Sequence, residues 1–270
     1  LETSGVVLAR VSDLVERRAA GRAAALLTSR ERERWGRIHH QGRRDEFLAA
    51  RVLVKYLWSA PSPAAPPPGS AVRWVAREEV QGFLDAALGR PPVLRRARML
   101  QLLPGPGGEP ELRWRGRPAG PLSVSLTHSG GWVAVAVSAG GRVGVDLERI
   151  EGRSPAFATV FTPAERAWSA ARAGVSLEAS QTLLWALREA AFKAGLTHEG
   201  GDEPPFEIVP DAAAPTPFRW VGPGPWPLQA LPVALSRGRA GIAEVLLDDG
   251  FVLARLAAAP RVPDPLLPPS

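Results

Sequence analysis

Three short segments of this chain carry residue types that do chemistry, at spacings that let them act together. The first is Ser123-Val124-Ser125-Leu126-Thr127-His128-Ser129-Gly130-Gly131, a histidine set among hydroxyls where one alternating stretch ends and another begins. His128 there sits at a strand edge or turn, and it is either satisfied by its neighbours or a hydrogen-bond donor to an anion. Gly130 and Gly131 leave room for a ligand to approach the backbone. The second segment is Arg142-Val143-Gly144-Val145-Asp146-Leu147-Glu148-Arg149. Side chains two apart on a strand share a face, so Asp146 and Glu148 point together while Val145 and Leu147 pack behind them. Adjacent carboxylates repel unless something screens them. This is either a solvated acidic face neutralised by Arg149 or part of a hard-cation site, since Mg²⁺ takes one or two carboxylates and completes its shell with water and substrate phosphate. In the third segment Trp185, Glu189 and Lys193 recur at i, i+4, i+8 beside an apolar stripe of Leu184, Leu187, Ala191 and Ala194. Glu189 and Lys193 are either a surface ion pair worth about a few tenths of a kcal/mol or a third carboxylate and a cation for phosphate.

Such side chains need a strand and a long helix to bring them together, and the chain reads as though it supplies that set twice. Thr28-Ser29-Arg30-Glu31-Arg32 and Thr162-Pro163-Ala164-Glu165-Arg166 each hold the Thr-x-x-Glu capping box of a helix start. About twenty residues on, Phe47 to Lys55 and Trp185 to Lys193 read as long helices, with the two lysines at equivalent places. Gly131 to Val137 and Gly250 to Leu256 read as strands opened by a glycine turn, and Val6 to Val11 echoes Val143 to Glu148. The fold class expected is therefore α+β, an α/β two-layer arrangement. It consists of two similar subdomains related by a pseudo-twofold axis, each a small, mainly antiparallel sheet packed on a long helix. The boundary falls near Gly140-Gly141, giving halves over 1–141 and 142–259, with a Pro-rich, disordered tail expected over 260–270. Ser59 to Ser70 and Pro104 to Pro110 read as surface loops. Ligand sites favour the interface between such units.

Composition narrows the chemistry. The chain has 270 residues, 45% hydrophobic and 22% charged, near globular averages, and no window approaches the roughly 18 apolar residues of a membrane span. Leu1-Glu2-Thr3-Ser4-Gly5 shows none of the marks of a secretory signal, so a cytoplasmic location is expected. There is no cysteine, and the four histidines (His39, His40, His128, His198) include no i,i+4 pair. Thiolate and histidine-rich zinc sites are thereby disfavoured, and a metal must be held by oxygen. The net charge of +6 favours an acidic or phosphorylated partner, but the bases are scattered rather than striped, which argues against nucleic acid. Of 33 basic residues only Lys55 and Lys193 are lysine, which makes both worth locating.

In order and spacing, Thr127-His128-Ser129, Gly144-Val145-Asp146-Leu147-Glu148 and Trp185-x-x-Arg188-Glu189-x-x-x-Lys193 together resemble the Sfp-type 4′-phosphopantetheinyl transferases. Gly116-Arg117-Pro118 is similar to that family's Gly-Lys-Pro turn, and Arg43-Arg44-Asp45-Glu46-Phe47-Leu48-Ala49-Ala50-Arg51 to its N-terminal arginine helix. The resemblance implies coenzyme A in the cleft between two halves and transfer of its phosphopantetheine arm to a serine of an apo acyl or peptidyl carrier protein, releasing 3′,5′-ADP. It implies Mg²⁺ on Asp146, Glu148 and Glu189. Glu189, or a water it orients, would be the base, and Lys193 would stabilise pyrophosphate charge. His128 with Arg44 and Arg51 would hold the 3′-phosphate. Thr127 stands where the family has serine and Arg188 where it has lysine, each expected to contact the cofactor. A monomer is implied, since one chain makes both sides of the cleft. The rival readings are an inactive relative and a basic-cleft protein that binds an acidic partner or nucleic acid without catalysis.

Overall fold

Helix-period and strand-period segments alternate along the chain, and each takes its expected form where its apolar face finds a partner. The structure, a computed structural model, describes residues 5–15, 20–59, 71–106, 108–120, 122–139, 141–152, 155–171, 175–196, 208–210, 226–227, 229–235, 239–247 and 250–257. The expected tail over 260–270, most of the Pro-rich stretch after Ser59, and His198 lie outside the described residues. Strand β1 (Gly5–Arg10) leads into the short α1 (Val11–Leu14) and α2 (Ala20–Ala24), then α3 (Ser29–Gly36) and the 19-residue α4 (Gln41–Ser59). Next come β2 (Ala71–Trp74), α5 (Arg77–Gly89), α6 (Pro91–Met99), β3 (Leu100–Pro104), β4 (Pro110–Trp114) and β5 (Arg117–Pro118). A hairpin of β6 (Ser123–Ser129) and β7 (Trp132–Ser138) precedes β8 (Val143–Arg149), α7 (Pro163–Ala171) and α8 (Leu177–Lys193). The chain then adds β9 (Ile208–Pro210), β10 (Trp226–Pro227), β11 (Gln229–Leu235), β12 (Arg239–Leu247) and β13 (Phe251–Ala257).

The architecture is α+β. One sheet has the order β10-β2-β1-β7-β6, a second β8-β13-β12-β11-β9, and a third, smaller one β3-β4-β5. Among the described residues only the β1–β2 pair is parallel. Strand alternation sorts the side chains into layers. Val7, Ala9, Val133 and Val135 face α4, which buries Leu48, Ala49, Val52 and Leu53 against them. Val6, Leu8, Ala134 and Ala136 face the other way and meet Val143, Val145, Leu147 and Leu253 of the second sheet. Val252, Ala254 and Leu256 in turn pack under Leu183, Leu184, Leu187, Ala190 and Ala191 of α8. The result is helix, sheet, sheet, helix, with α8 on one side and α4 on the other, α4 being covered in turn by α5 and α6.

Two glycine positions set the geometry around β6 and β8. Gly130 and Gly131 both lie at positive φ, 57° and 83°, between the paired Ser129 and Trp132. That is the two-residue turn whose twist suits a hairpin, and it leaves His128 inside a strand, opposite Val133. At Gly144 a Cβ would stand 1.8 Å from the Ala190 carbonyl oxygen. The missing side chain lets α8 lie directly on β8, and so brings Lys193 in the last turn of α8 to Asp146.

β6 and β8 are edge strands of different sheets, yet they run side by side. Their join is made by side chains. The hydroxyls of Ser123, Ser125, Thr127 and Ser129 accept hydrogen bonds from the backbone amides of Val143, Val145, Leu147 and Arg149 at 3.0, 3.0, 3.1 and 3.1 Å. The period-two hydroxyls visible in the sequence are this seam.

Both capping boxes form. Thr28 and Glu31 bond each other's backbone amides at 3.2 and 2.9 Å, and Thr162 and Glu165 do so at 3.3 and 2.8 Å. Each glutamate is fully buried and reaches further. Glu31 accepts from the Leu102 amide and pairs with Lys55 at 3.0 Å; Glu165 accepts from the Ile208 amide and pairs with Arg188 at 3.1 Å. By contacts, then, the counterpart of Lys55 is Arg188, not the Lys193 that sequence spacing suggests. The helices α5 and α6 and the small third sheet stand outside the expected pattern of one sheet and one long helix per half.

Candidate active site

A cleft of about 500 Å³ opens where the seam meets the two long helices. Its floor is β6 and β8, which present Thr127, His128, Asp146 and Glu148; α4 contributes Arg43, Glu46 and Arg51, and α8 contributes Lys193. Side chains from both sides of the expected half-boundary therefore line one cavity.

Asp146 is at its centre. It is buried, its Oδ1 accepts from Lys193 Nζ at 2.6 Å and from Thr127 Oγ1 at 3.1 Å, and its Oδ2 is buried with no hydrogen-bond partner among the described residues. A buried carboxylate oxygen left unpaired is costly, and a cation would satisfy it. Lys193 Nζ also reaches the Val145 carbonyl at 3.3 Å. Glu148, on the same face of β8, accepts at Oε1 from the Trp185 indole N–H at 3.1 Å, and Trp185 is wedged against Phe157. Glu189 is half-buried on α8. Burial, then the negative charge of Asp146, raises its carboxyl above the ordinary range, against the opposing pull of Lys193 and Arg188. Among the described residues no three His, Cys, Asp or Glu side chains stand close enough to cage a metal.

The opposite wall is basic. His128 Nδ1 lies 3.1 Å from Glu46 Oε2, and Arg43 Nη1 lies 3.4 Å from His128 Nε2. Burial depresses the imidazole pKa; Glu46 opposes this, while Arg43 and Lys193 add to it. Arg51 is buried, donates to the Phe47 carbonyl at 3.1 Å and stacks on the Phe47 ring, and its Nε has no partner among the described residues. Burial, opposed by Glu31 and helped by Arg34, lowers its pKa to about 10, which leaves it charged at neutral pH.

Of the residues singled out from sequence, Arg51, Thr127, His128, Asp146, Glu148 and Lys193 line the cleft, and Glu189 is coupled to it through charge. Two are placed elsewhere. Arg44 lies over the Trp35 ring, whose indole N–H donates to the Arg44 carbonyl, and its neighbour Arg43 takes the cleft position. Arg188 donates to the Val160 carbonyl and to Glu165. Sequence reasoning missed Glu46 and Phe47. Their signal was available, because Arg43, Glu46, Phe47 and Arg51 fall at i, i+3, i+4 and i+8, one helical face.

No helix among the described residues is long and apolar enough to cross a membrane. No curated protein matches the chain. Residues 142–218, which carry Asp146, Glu148, Glu189 and Lys193, match the family model of the 4′-phosphopantetheinyl transferase superfamily. That match supports a transferase acting in general on phosphopantetheine, with coenzyme A as co-substrate and a carrier protein as acceptor.

Proposed function

We propose that the protein is an Sfp-type enzyme that moves the 4′-phosphopantetheine arm from coenzyme A to a serine of an apo acyl or peptidyl carrier protein, releasing 3′,5′-ADP. The observation that carries this reading is the single cleft in which Asp146, Glu148 and Lys193 of the family-matched segment face Arg43, Arg51 and His128. Two carboxylates suffice for Mg²⁺, which keeps water and takes phosphate oxygens: Asp146, with its unpaired Oδ2, and Glu148 on the same strand face would hold it, with Glu189 close enough to feel the Asp146 charge. Bound there, Mg²⁺ supplies charge neutralisation on the pyrophosphate.

The chain's own residues do the rest. His128, Arg51 and Arg43 hold the 3′-phosphate, arginine being suited to a bidentate grip; Arg43 takes the part that the resemblance gave to Arg44. Glu189 accepts the serine proton. The serine oxygen forms the new bond to phosphorus while the bond from phosphorus to the 3′,5′-ADP oxygen breaks, and that oxygen leaves with the electron pair. Lys193, already within 2.6 Å of Asp146, stabilises the charge that develops on the leaving phosphate. A cytoplasmic monomer belongs to the same reading, since one chain supplies both walls.

Intact-mass analysis of apo acyl and peptidyl carrier proteins incubated with the protein, coenzyme A and Mg²⁺ tests it. The expected result is a gain of one phosphopantetheine arm that disappears with EDTA. No gain on any of several carriers, or a gain indifferent to EDTA, overturns the reading or its metal requirement respectively.

A further inference from the structure

Four hydroxyls form the seam, and one of them does something the others do not. Ser125 accepts from the Val145 amide at 3.0 Å. Thr127 likewise accepts from the Leu147 amide, but its hydroxyl hydrogen also goes to Asp146 Oδ1, each at 3.1 Å. The group is buried, so its hydrogen and one lone pair are committed inside the protein. Lys193 converges on the same oxygen of Asp146. Two donors on Oδ1 fix the plane of the carboxylate and leave Oδ2 as its atom without a partner among the described residues.

We infer that Thr127 is a positioning residue for Asp146: its hydroxyl locks β8 in register on β6 and holds Oδ1 of the carboxylate, keeping Oδ2 as the atom that takes the cation, rather than binding coenzyme A itself. This rests on the proposal of a cation at Asp146. Valine at position 127 keeps the shape and removes both bonds. Outer partners that orient a ligand typically change metal affinity by about 10–100-fold.

The test is Mn²⁺ binding to the whole protein with coenzyme A present, monitored by electron paramagnetic resonance, alongside calorimetric coenzyme A binding in EDTA. Thr127→Val should weaken Mn²⁺ at least about tenfold and leave metal-free coenzyme A binding unchanged, and Thr127→Ser should restore the wild-type value. Ser125→Ala removes a seam bond with no carboxylate attached, and should lower the unfolding midpoint without touching Mn²⁺ affinity. Should Thr127→Val not fold, Thr127→Ala carries the same comparison. Unchanged Mn²⁺ affinity, equal losses in the Ser125 and Thr127 variants, or weakened coenzyme A binding in EDTA would each overturn the inference while leaving the proposed function standing. Wild-type protein that binds no Mn²⁺ with coenzyme A overturns both.

Discussion

The two capping-box glutamates anchor similar braces in surroundings of different character. Around Glu31, Lys55 is 1% exposed and uses all three of its donors, on Glu31 and on the carbonyls of Ala97 and Leu100 at 3.1 and 2.5 Å. Burial lowers the pKa of Lys55, and Glu31 opposes that shift. Around Glu165, Arg188 is 17% exposed and shares one guanidinium nitrogen between Glu165 and the Val160 carbonyl. The two helices differ more in the turn beyond each base. Next to Lys55 stands Tyr56, which donates to Glu79. Next to Arg188 stands Glu189, coupled to the cleft by charge, and one turn further Lys193, which lines it. The same brace ties helix to strand in both regions, and the cleft residue that follows the base within one turn or so, Lys193, belongs to only one of them. A lysine kept in an arginine-rich chain is therefore not a functional marker by itself: Lys193 lies in the site, and Lys55 is structural.

The contrast between the braces is sharpest at the residue after the base. Glu189→Gln should lower transfer by about 10²–10⁴-fold, the usual worth of a general base, with an unchanged melting temperature. Tyr56→Phe should leave the rate unchanged. A rate for the Glu189 variant within a few-fold of wild type would remove it as the base. Next in size, Lys55→Met strands a buried carboxylate and should cost about 3–5 kcal/mol in urea unfolding, whereas Arg188→Met, at a more open brace, should cost about 1–3 kcal/mol. Equal losses would mean that the two braces are energetically alike despite their different burial. The smallest effects separate neighbouring arginines. Arg43→Ala should raise the KM for coenzyme A about tenfold, as loss of a charge-assisted bond does, while Arg44→Ala should cost only the stacking on Trp35, about 0.5–1 kcal/mol of stability, with KM unaltered.

Much of this was legible in the sequence because it is local. Capping boxes, the Gly130-Gly131 turn, the shared face of Asp146 and Glu148 and the stripe of Trp185, Glu189 and Lys193 depend on spacings of two to eight residues. The less legible parts depend on distant packing. Arg43 and Arg44 differ by about 100° around a helix, and only the burial of Leu48 and Val52 decides which faces the cleft. Lys55 meets a glutamate 24 residues earlier in the chain, so aligning it with Lys193 by offset misreads it. The helices α5 and α6 bury Val80, Leu84 and Ala97 against a core that local pattern cannot show.

The hydroxyl seam has one more consequence, for the dimensions of the cleft. Strands that exchange backbone bonds sit about 4.8 Å apart, whereas here a side chain is interposed at every second residue. The serines and threonine act as spacers of fixed length, holding the two sheet edges off from each other while occupying amide groups of β8 that an exposed edge would offer to a foreign strand. The spacing of the two strands that floor the cleft is thus set by the reach of a side-chain hydroxyl, the same along the whole join.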